Sequence, residues 1–268
     1  MSKVSFSRVD CWRQCPLKYK FRYIDGLTEE VDLSPSNPLI LGKALDTGVE
    51  HGIDAGIEYY YSQYPIITDE HINWTIQLEH WIPKVREIMN KGEFQVELKS
   101  DRFIGYIDYL EQPFIMDLKF SNNGDRYASS PQLSLYASEL DERPEHLFYV
   151  CVPKSFIRMK KEKKDKKTGK LITPAEDLFQ FRKRLKETLQ GMEIQFVPVE
   201  YDQEAVDQFW KDVEIMQNAT TFEPRENEFC ESCGYKEFCK KPIVDVPEVK
   251  PKRKLKPRSE MNLITSIK

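Results

Sequence analysis

Charged residues interrupt an otherwise apolar stretch in two places, Gly105-Tyr-Ile-Asp108 and Asp117-Leu-Lys119. In an extended strand alternate side chains share a face, so Asp117 and Lys119 point the same way. A turn near Glu111 to Pro113 would lay the Asp108 segment antiparallel beside them, clustering two carboxylates and one ammonium. Such a cluster among apolar strands is costly unless its charges pair or hold a metal ion. Carboxylate oxygens are the hard ligands that Mg²⁺ and Mn²⁺ require. A lysine beside them can orient or deprotonate a water and neutralise charge on a phosphoryl group in transfer. The alternative is a salt-bridged, exposed strand face.

Cys230-x-x-Cys233 and Cys239 form a second chemical group, and C-x-x-C spacing lets two thiolates grip one metal centre. Three thiolates leave one ligand position open. The chain starts MSKVSFSRVDCW, without the apolar stretch of a signal peptide, so a cytoplasmic setting is expected and a disulfide framework is not. Cys11 lies four residues before Cys15 as an alternative ligand, and Cys151 sits in an apolar run that marks it as a core residue.

The elements that must carry these groups can be read from periodicity. Ser5 and Ser7 can cap a first helix and Pro16 suits the first turn of a second, PLKYKFRYI, giving an N-terminal helical hairpin or kinked helix. Apolar spacing predicts a helix from about Leu39 to Tyr61 and another from Asp69 to Asn90, the latter kinked or interrupted at Pro83. After Gly92 the pattern alternates: FQVELKS, RFIGYIDYL and PFIMDLKF predict three successive strands. Ser130-Pro131 opens a helix, QLSLYASEL, and HLFYVCVP reads as an interior strand. Helical patterns return at Glu176 to Gln190 and Gln203 to Asn218. The order implies an α/β fold with a central mixed sheet flanked by helices.

The formal net charge of −4 hides an asymmetry. Arg158 to Lys170 carries eight basic and two acidic residues, and Lys250 to Lys268 carries seven basic residues against Glu260 alone. Each segment is therefore available to meet phosphates, although a solvated hairpin tip and a basic tail would look the same. No apolar run reaches the length of roughly 20 residues that a membrane span needs, so no membrane partner is expected.

Taken together, these motifs resemble the PD-(D/E)xK nuclease superfamily, and in particular its RecB-like exonuclease branch, which includes CRISPR-associated RecB-like exonucleases and the AddB nuclease domain. Gly105 to Asp108 matches the branch's G-x-x-D, Asp117 to Lys119 its carboxylate-x-Lys, and Gln132 with Tyr136 its helical Q-x-x-x-Y, in the same order. The branch usually has G-x-x-x-H-x-x-x-E upstream; here Gly42 to Glu50 keeps the frame but places Asp46 where the histidine stands. Asp46 can still offer oxygen to a hard cation. His51 falls on another helix face, and Glu97 matches an acidic position that either lines the site or is an ordinary exposed strand residue. Iron–sulfur members of the branch draw one ligand from an N-terminal C-P-x-x-aromatic segment, here Cys15 to Tyr19, and three from a C-terminal group, here Cys230, Cys233 and Cys239.

The resemblance implies a restriction-endonuclease-like core in one nuclease domain spanning residues 1–242. A helical part would run to about residue 91 and a catalytic core over 92–157. A Lys-rich excursion would follow at 158–170 and a cluster region at 220–241, ahead of a basic tail at 243–268. The implied activity is a deoxyribonuclease, specifically a metal-dependent exonuclease on single-stranded DNA ends, serving recombination, repair or replication in a bacterial, archaeal or virus-infected cell. Asp46, Asp108, Asp117 and the Leu118 carbonyl would hold Mg²⁺ or Mn²⁺, Lys119 would position water, and Gln132 and Tyr136 would contact the strand. Cys15, Cys230, Cys233 and Cys239 would hold a [4Fe–4S] cluster, with structural Zn²⁺ as the alternative. Lys18, Lys20, Arg22, Lys160, Lys161, Lys163 and Lys164 are candidate DNA contacts, and the tail is a candidate docking peptide for a recombination or replication protein. Because Asp46 replaces the histidine, a non-catalytic DNA-binding or assembly subunit is the competing expectation.

Overall fold

The computed structural model describes residues 3–29, 32–164, 166–169 and 171–239. The basic tail at 243–268 lies outside the described residues, as do Asp165 and Lys170 of the Lys-rich excursion. Helix α1 (Phe6–Gln14) starts where Ser5 Oγ accepts the Arg8 amide N–H (3.3 Å), and α2 (Pro16–Tyr19) begins on Pro16, whose missing N–H costs nothing in a first turn. A wider π-type turn, Lys20–Ile24, continues it.

The long helix expected from Leu39 to Tyr61 is two helices, α3 (Pro38–His51) and α4 (Ile53–Ser62). Gly52 separates them with φ 107°, a conformation open to glycine and to little else, while the apolar pattern runs on across the break. Asn37 caps α3, its Oδ1 accepting the Leu39 and Ile40 N–H groups at 2.9 and 3.2 Å. Pro83 lies inside α5 (Asp69–Ile88), which continues past it.

Three strands follow, β1 (Glu93–Lys99), β2 (Ile104–Glu111) and β3 (Phe114–Phe120), each antiparallel to the one before. A short α6 (Asp125–Ala128) and α7 (Gln132–Ser138) then cross over to β4 (His146–Val152), which lies parallel to β3 with Asp117 beside Tyr149 and Lys119 beside Cys151. The Lys-rich segment forms a small hairpin, β5 (Lys163–Lys164) with β6 (Leu171–Thr173). Beyond α8 (Leu178–Gln190), β7 (Gln195–Val199) adds an antiparallel edge to β4, and α9 (Gln203–Gln217) follows. Sequence periodicity does not predict β7, because its short run contains Pro198, a residue a sheet accepts at an edge. The sheet order is β1-β2-β3-β4-β7.

Apolar side chains bury both faces of this sheet. Leu41, Leu45, Trp81 and Val85 of α3 and α5 pack with Leu118 and Val150 on one side. Val9, Leu133, Leu135 and Phe209 of α1, α7 and α9 pack with Ile115 and Tyr149 on the other. Each such side chain contributes on the order of 1.5–3 kcal/mol by burial, which fixes the strand ends that carry the charged residues.

Candidate active site

Pairing between β2 and β3 runs from Glu111↔Phe114 to Tyr109↔Met116 and stops there. One further step in that register would set Asp108 opposite Asp117. Instead Asp108 Oδ2 accepts the Leu118 amide N–H (2.9 Å), and its Oδ1 accepts from Gln95 Nε2 (3.3 Å). Gln95 itself sits at φ 50°, a left-handed conformation uncommon for a side-chain-bearing residue, at the corresponding gap in the β1–β2 ladder. Thus the two strands part at the carboxylates, and a side chain takes over a backbone hydrogen bond that the ladder gives up.

Asp117 is buried and its Oδ2 contacts the Lys119 ammonium, with no other hydrogen-bond partner among the described residues. Burial works against the Lys119 charge, but Asp117 and Asp108 outweigh it and hold the ammonium above its usual range. The Asp108 and Asp117 carboxylates are both raised, chiefly by desolvation, with Lys119 opposing the rise. Asp46 joins this group from α3: desolvation, then the charges of Asp108 and Asp117, push it up to about 8, while Lys43 and Lys119 pull it back. Asp46 therefore feels both strand carboxylates and the lysine. Among the described residues, no three His, Cys, Asp or Glu side chains stand close enough together to form a ready-made metal site. The donor set nevertheless fits a hard divalent cation, because three carboxylates whose ionisation is opposed by burial gain most from a positive charge placed among them.

Helix α7 covers this end of the sheet. Gln132 Nε2 donates to Tyr136 Oη (3.2 Å), and burial pushes the Tyr136 hydroxyl up to about 12, so it stays protonated and able to donate. Gly105 explains itself here: a β-carbon would stand 3.1 Å from Tyr136 Cε1 and 2.9 Å from Phe103 Cε1. The Lys119 ammonium also lies over two aromatic rings, Tyr149 at 5.6 Å and Tyr127 at 5.7 Å. Gln95, Tyr127 and Tyr149 carry no motif that would single them out in the sequence, since each acts through long-range placement.

Glu97 lies on an exposed strand face with Lys99 (3.8 Å) and Tyr106 Oη (3.3 Å), and His51 meets Glu50 (3.5 Å). Lys18 and Arg22 pair with Glu29 at 3.9 and 3.6 Å, and Lys20 with Asp25 at 2.6 Å, so that basic helix is already matched by carboxylates. Lys160, Lys161, Lys163 and Lys164 are exposed along the excursion, where Lys164 meets Glu162 at 2.7 Å.

Cys15, Cys230, Cys233 and Cys239 line one cavity of about 540 Å³ between α2 and the C-terminal turns, the 3₁₀ turn Cys230–Ser232 and α10 (Lys236–Cys239). Two backbone amides point at sulfur: Arg225 N–H at Cys15 Sγ and Asn227 N–H at Cys230 Sγ, both 3.4 Å. The Cys239 thiol is raised by desolvation and then by the other three, which places them within electrostatic reach. Cys11 is buried outside this cavity and Cys151 lies in the sheet core.

The model of the PD-(D/E)XK nuclease superfamily matches residues 3–240, and the chain belongs to that superfamily. In fold it is similar to a crystal structure of a candidate exonuclease from Eubacterium rectale, with a TM-score of 0.56, 16% identity, and coverage of 90% of this chain and 91% of that one. No curated protein matches it. Among the described residues, no helix is long and apolar enough to cross a membrane.

Proposed function

We propose that this chain is a metal-dependent deoxyribonuclease that removes nucleotides from single-stranded DNA ends, in recombination, repair or replication. The observation that carries this reading is the hold of Asp108 on the Leu118 N–H where β2 and β3 part, which sets it beside the strand bearing Asp117, with Lys119 in contact with Asp117 and the Asp46 carboxyl within electrostatic reach of both aspartates. Asp46, Asp108, Asp117 and the Leu118 carbonyl would hold Mg²⁺ or Mn²⁺. Once bound, such an ion would supply Lewis-acid charge at the phosphoryl group and lower the pKa of a neighbouring water.

The chain's own groups do the rest. Lys119 is held protonated by its two carboxylates, so its role is that of a fixed positive charge and water-orienting donor rather than of a base. Gln132 and Tyr136 present an amide and a hydroxyl on one helix face toward the substrate strand. Lys160, Lys161, Lys163 and Lys164 offer phosphate contacts outside the carboxylate cluster. The four cysteines are read as ligands of a [4Fe–4S] cluster, with Zn²⁺ the alternative, tying residue 15 to residues 230–239 around the nuclease core.

The test compares linear and circular single strands of one sequence in Mg²⁺. Release of mononucleotides or short products from the linear strand, with the circle intact, is expected. Cutting of both at equal rates would overturn the exonuclease reading, and cutting of neither would overturn the catalytic one in favour of a DNA-binding subunit.

A further inference from the structure

Beyond Val152, the segment Pro153 to Phe156 runs outside helix and strand, yet two side-chain amides, one from the bend after β3 and one from α5, fix it. Asn122 Nδ2 donates to the Lys154 carbonyl (2.8 Å) while Asn122 Oδ1 accepts the Lys154 N–H. Gln77 of α5 does the same one residue on: its Nε2 donates to the Ser155 carbonyl (3.1 Å) and its Oε1 accepts the Ser155 N–H (2.7 Å). Four hydrogen bonds thus hold the backbone of two consecutive residues, removing conformational freedom that a connecting loop ordinarily keeps.

Lys154 is 8% exposed, and among the described residues its ammonium has neither an ion pair nor a hydrogen bond; it stands 4.9 Å from the centre of the Phe120 ring. Burial pushes this amine down to about 8, with no neighbouring carboxylate opposing the shift. Phe156 is the reverse case, 63% exposed although large and apolar. Its ring stands edge-on to Trp74 at 5.7 Å, and Trp74, itself buried, stands edge-on to Phe120 at 6.4 Å. Two adjoining rings therefore carry the two side chains, Trp74 under Phe156 and Phe120 under Lys154, on the face of β3 opposite to that of the Lys119 side chain.

A lysine whose stem is buried and whose ammonium lacks an anion, and a mounted aromatic face lacking cover, two residues apart, match the phosphate and the base of a nucleotide. The chain then continues into Arg158, Lys160, Lys161, Lys163 and Lys164, whose charge suits a phosphate backbone. We infer that Lys154 and Phe156 form a subsite for the unpaired strand, Lys154 taking a phosphate oxygen and Phe156 stacking on a base. This rests on the reading of the chain as a nuclease of single strands.

The experiment measures fluorescence anisotropy of the full chain, in EDTA, with labelled oligothymidylate and with an abasic strand of equal length. The wild type should bind the base-bearing strand about tenfold more tightly, as one stacked base allows. Phe156→Ala should abolish that preference with little change toward the abasic strand, and Phe156→Trp should restore it. Lys154→Met, which keeps the apolar stem, should weaken both and lower the salt-dependence slope by about 0.7. Thermal unfolding of each variant separates these effects from misfolding. Equal wild-type affinity for the two probes, or an intact preference in Phe156→Ala, would overturn the stacking role; an unchanged salt slope in Lys154→Met would overturn the phosphate contact. Base preference without Mg²⁺-dependent cleavage supports the subsite and removes the exonuclease reading. Cleavage with no base preference does the opposite.

Discussion

Asp108 accepts the Leu118 amide N–H on Oδ2 (2.9 Å) across the point where β2 and β3 stop pairing, and so stands fixed against the strand that bears Asp117. An asparagine at position 108 could still accept that N–H through its amide oxygen. Asp108→Asn should therefore unfold within a few degrees of the wild type while losing cleavage by about 10²-fold or more, the size expected when a charge aimed at the reacting centre is removed. Thermal unfolding beside a single-turnover assay checks both halves.

Asp46 makes stability depend on pH in a chelated sample. Its carboxyl, pushed up to about 8, lies above its ordinary value of 3.8, so between those values the folded state binds the extra proton. This favours the fold in acid and is lost as pH rises toward and through 8. In EDTA the unfolding midpoint should fall between pH 5 and pH 8, about as the ionisation scheme requires, and Asp46→Asn should flatten the decline. Adding Mg²⁺ should raise the wild-type midpoint more than that of the variant.

Glu176 behaves with the opposite sign at the root of the Lys-rich excursion. Hydrogen bonds from Arg184 (2.7 and 2.6 Å), aided by the Lys160 N–H (2.9 Å), hold it down to about 2. Its contribution is present above the usual carboxylate range, near 4.5, and is lost as pH falls through 2. Glu176→Gln should remove this acid-sensitive component and speed proteolytic nicking near Lys160, measured by limited digestion at neutral pH.

The cysteines divide by position. Replacing Cys15, Cys230, Cys233 or Cys239 with alanine should lower bound iron and bleach the visible absorption of anaerobically purified protein. Cys11→Ala and Cys151→Ala should keep the metal and cost stability instead, roughly 1 kcal/mol each as small cavities in packed surroundings. A colourless wild type containing zinc would replace the cluster assignment with a Cys₄ site.

Local pattern made much of this fold legible. Alternation marked β1 to β3, and Gln132 with Tyr136, four residues apart, marked one face of α7; both depend on short-range geometry. Gly105 acquires its reason only in three dimensions, from the Tyr136 ring against its backbone. Periodicity carried α3 straight into α4, because apolar spacing continues through Gly52 while the φ angle does not. β7 stayed hidden behind Pro198. The hydrogen bonds of Gln95 to Asp108 and of Gln77 and Asn122 to the segment after β4 join positions distant in the chain, and such pairings leave no spacing in a single sequence.

The most direct test is divalent-metal dependence of cleavage of an end-labelled single strand by the wild type and by Asp117→Asn, with folding of the variant confirmed by circular dichroism. The account predicts cleavage in Mg²⁺ or Mn²⁺, none in EDTA, and loss of cleavage by about 10²-fold or more in Asp117→Asn. Cleavage that persists in EDTA, or a folded Asp117→Asn that cuts at the wild-type rate, would contradict it.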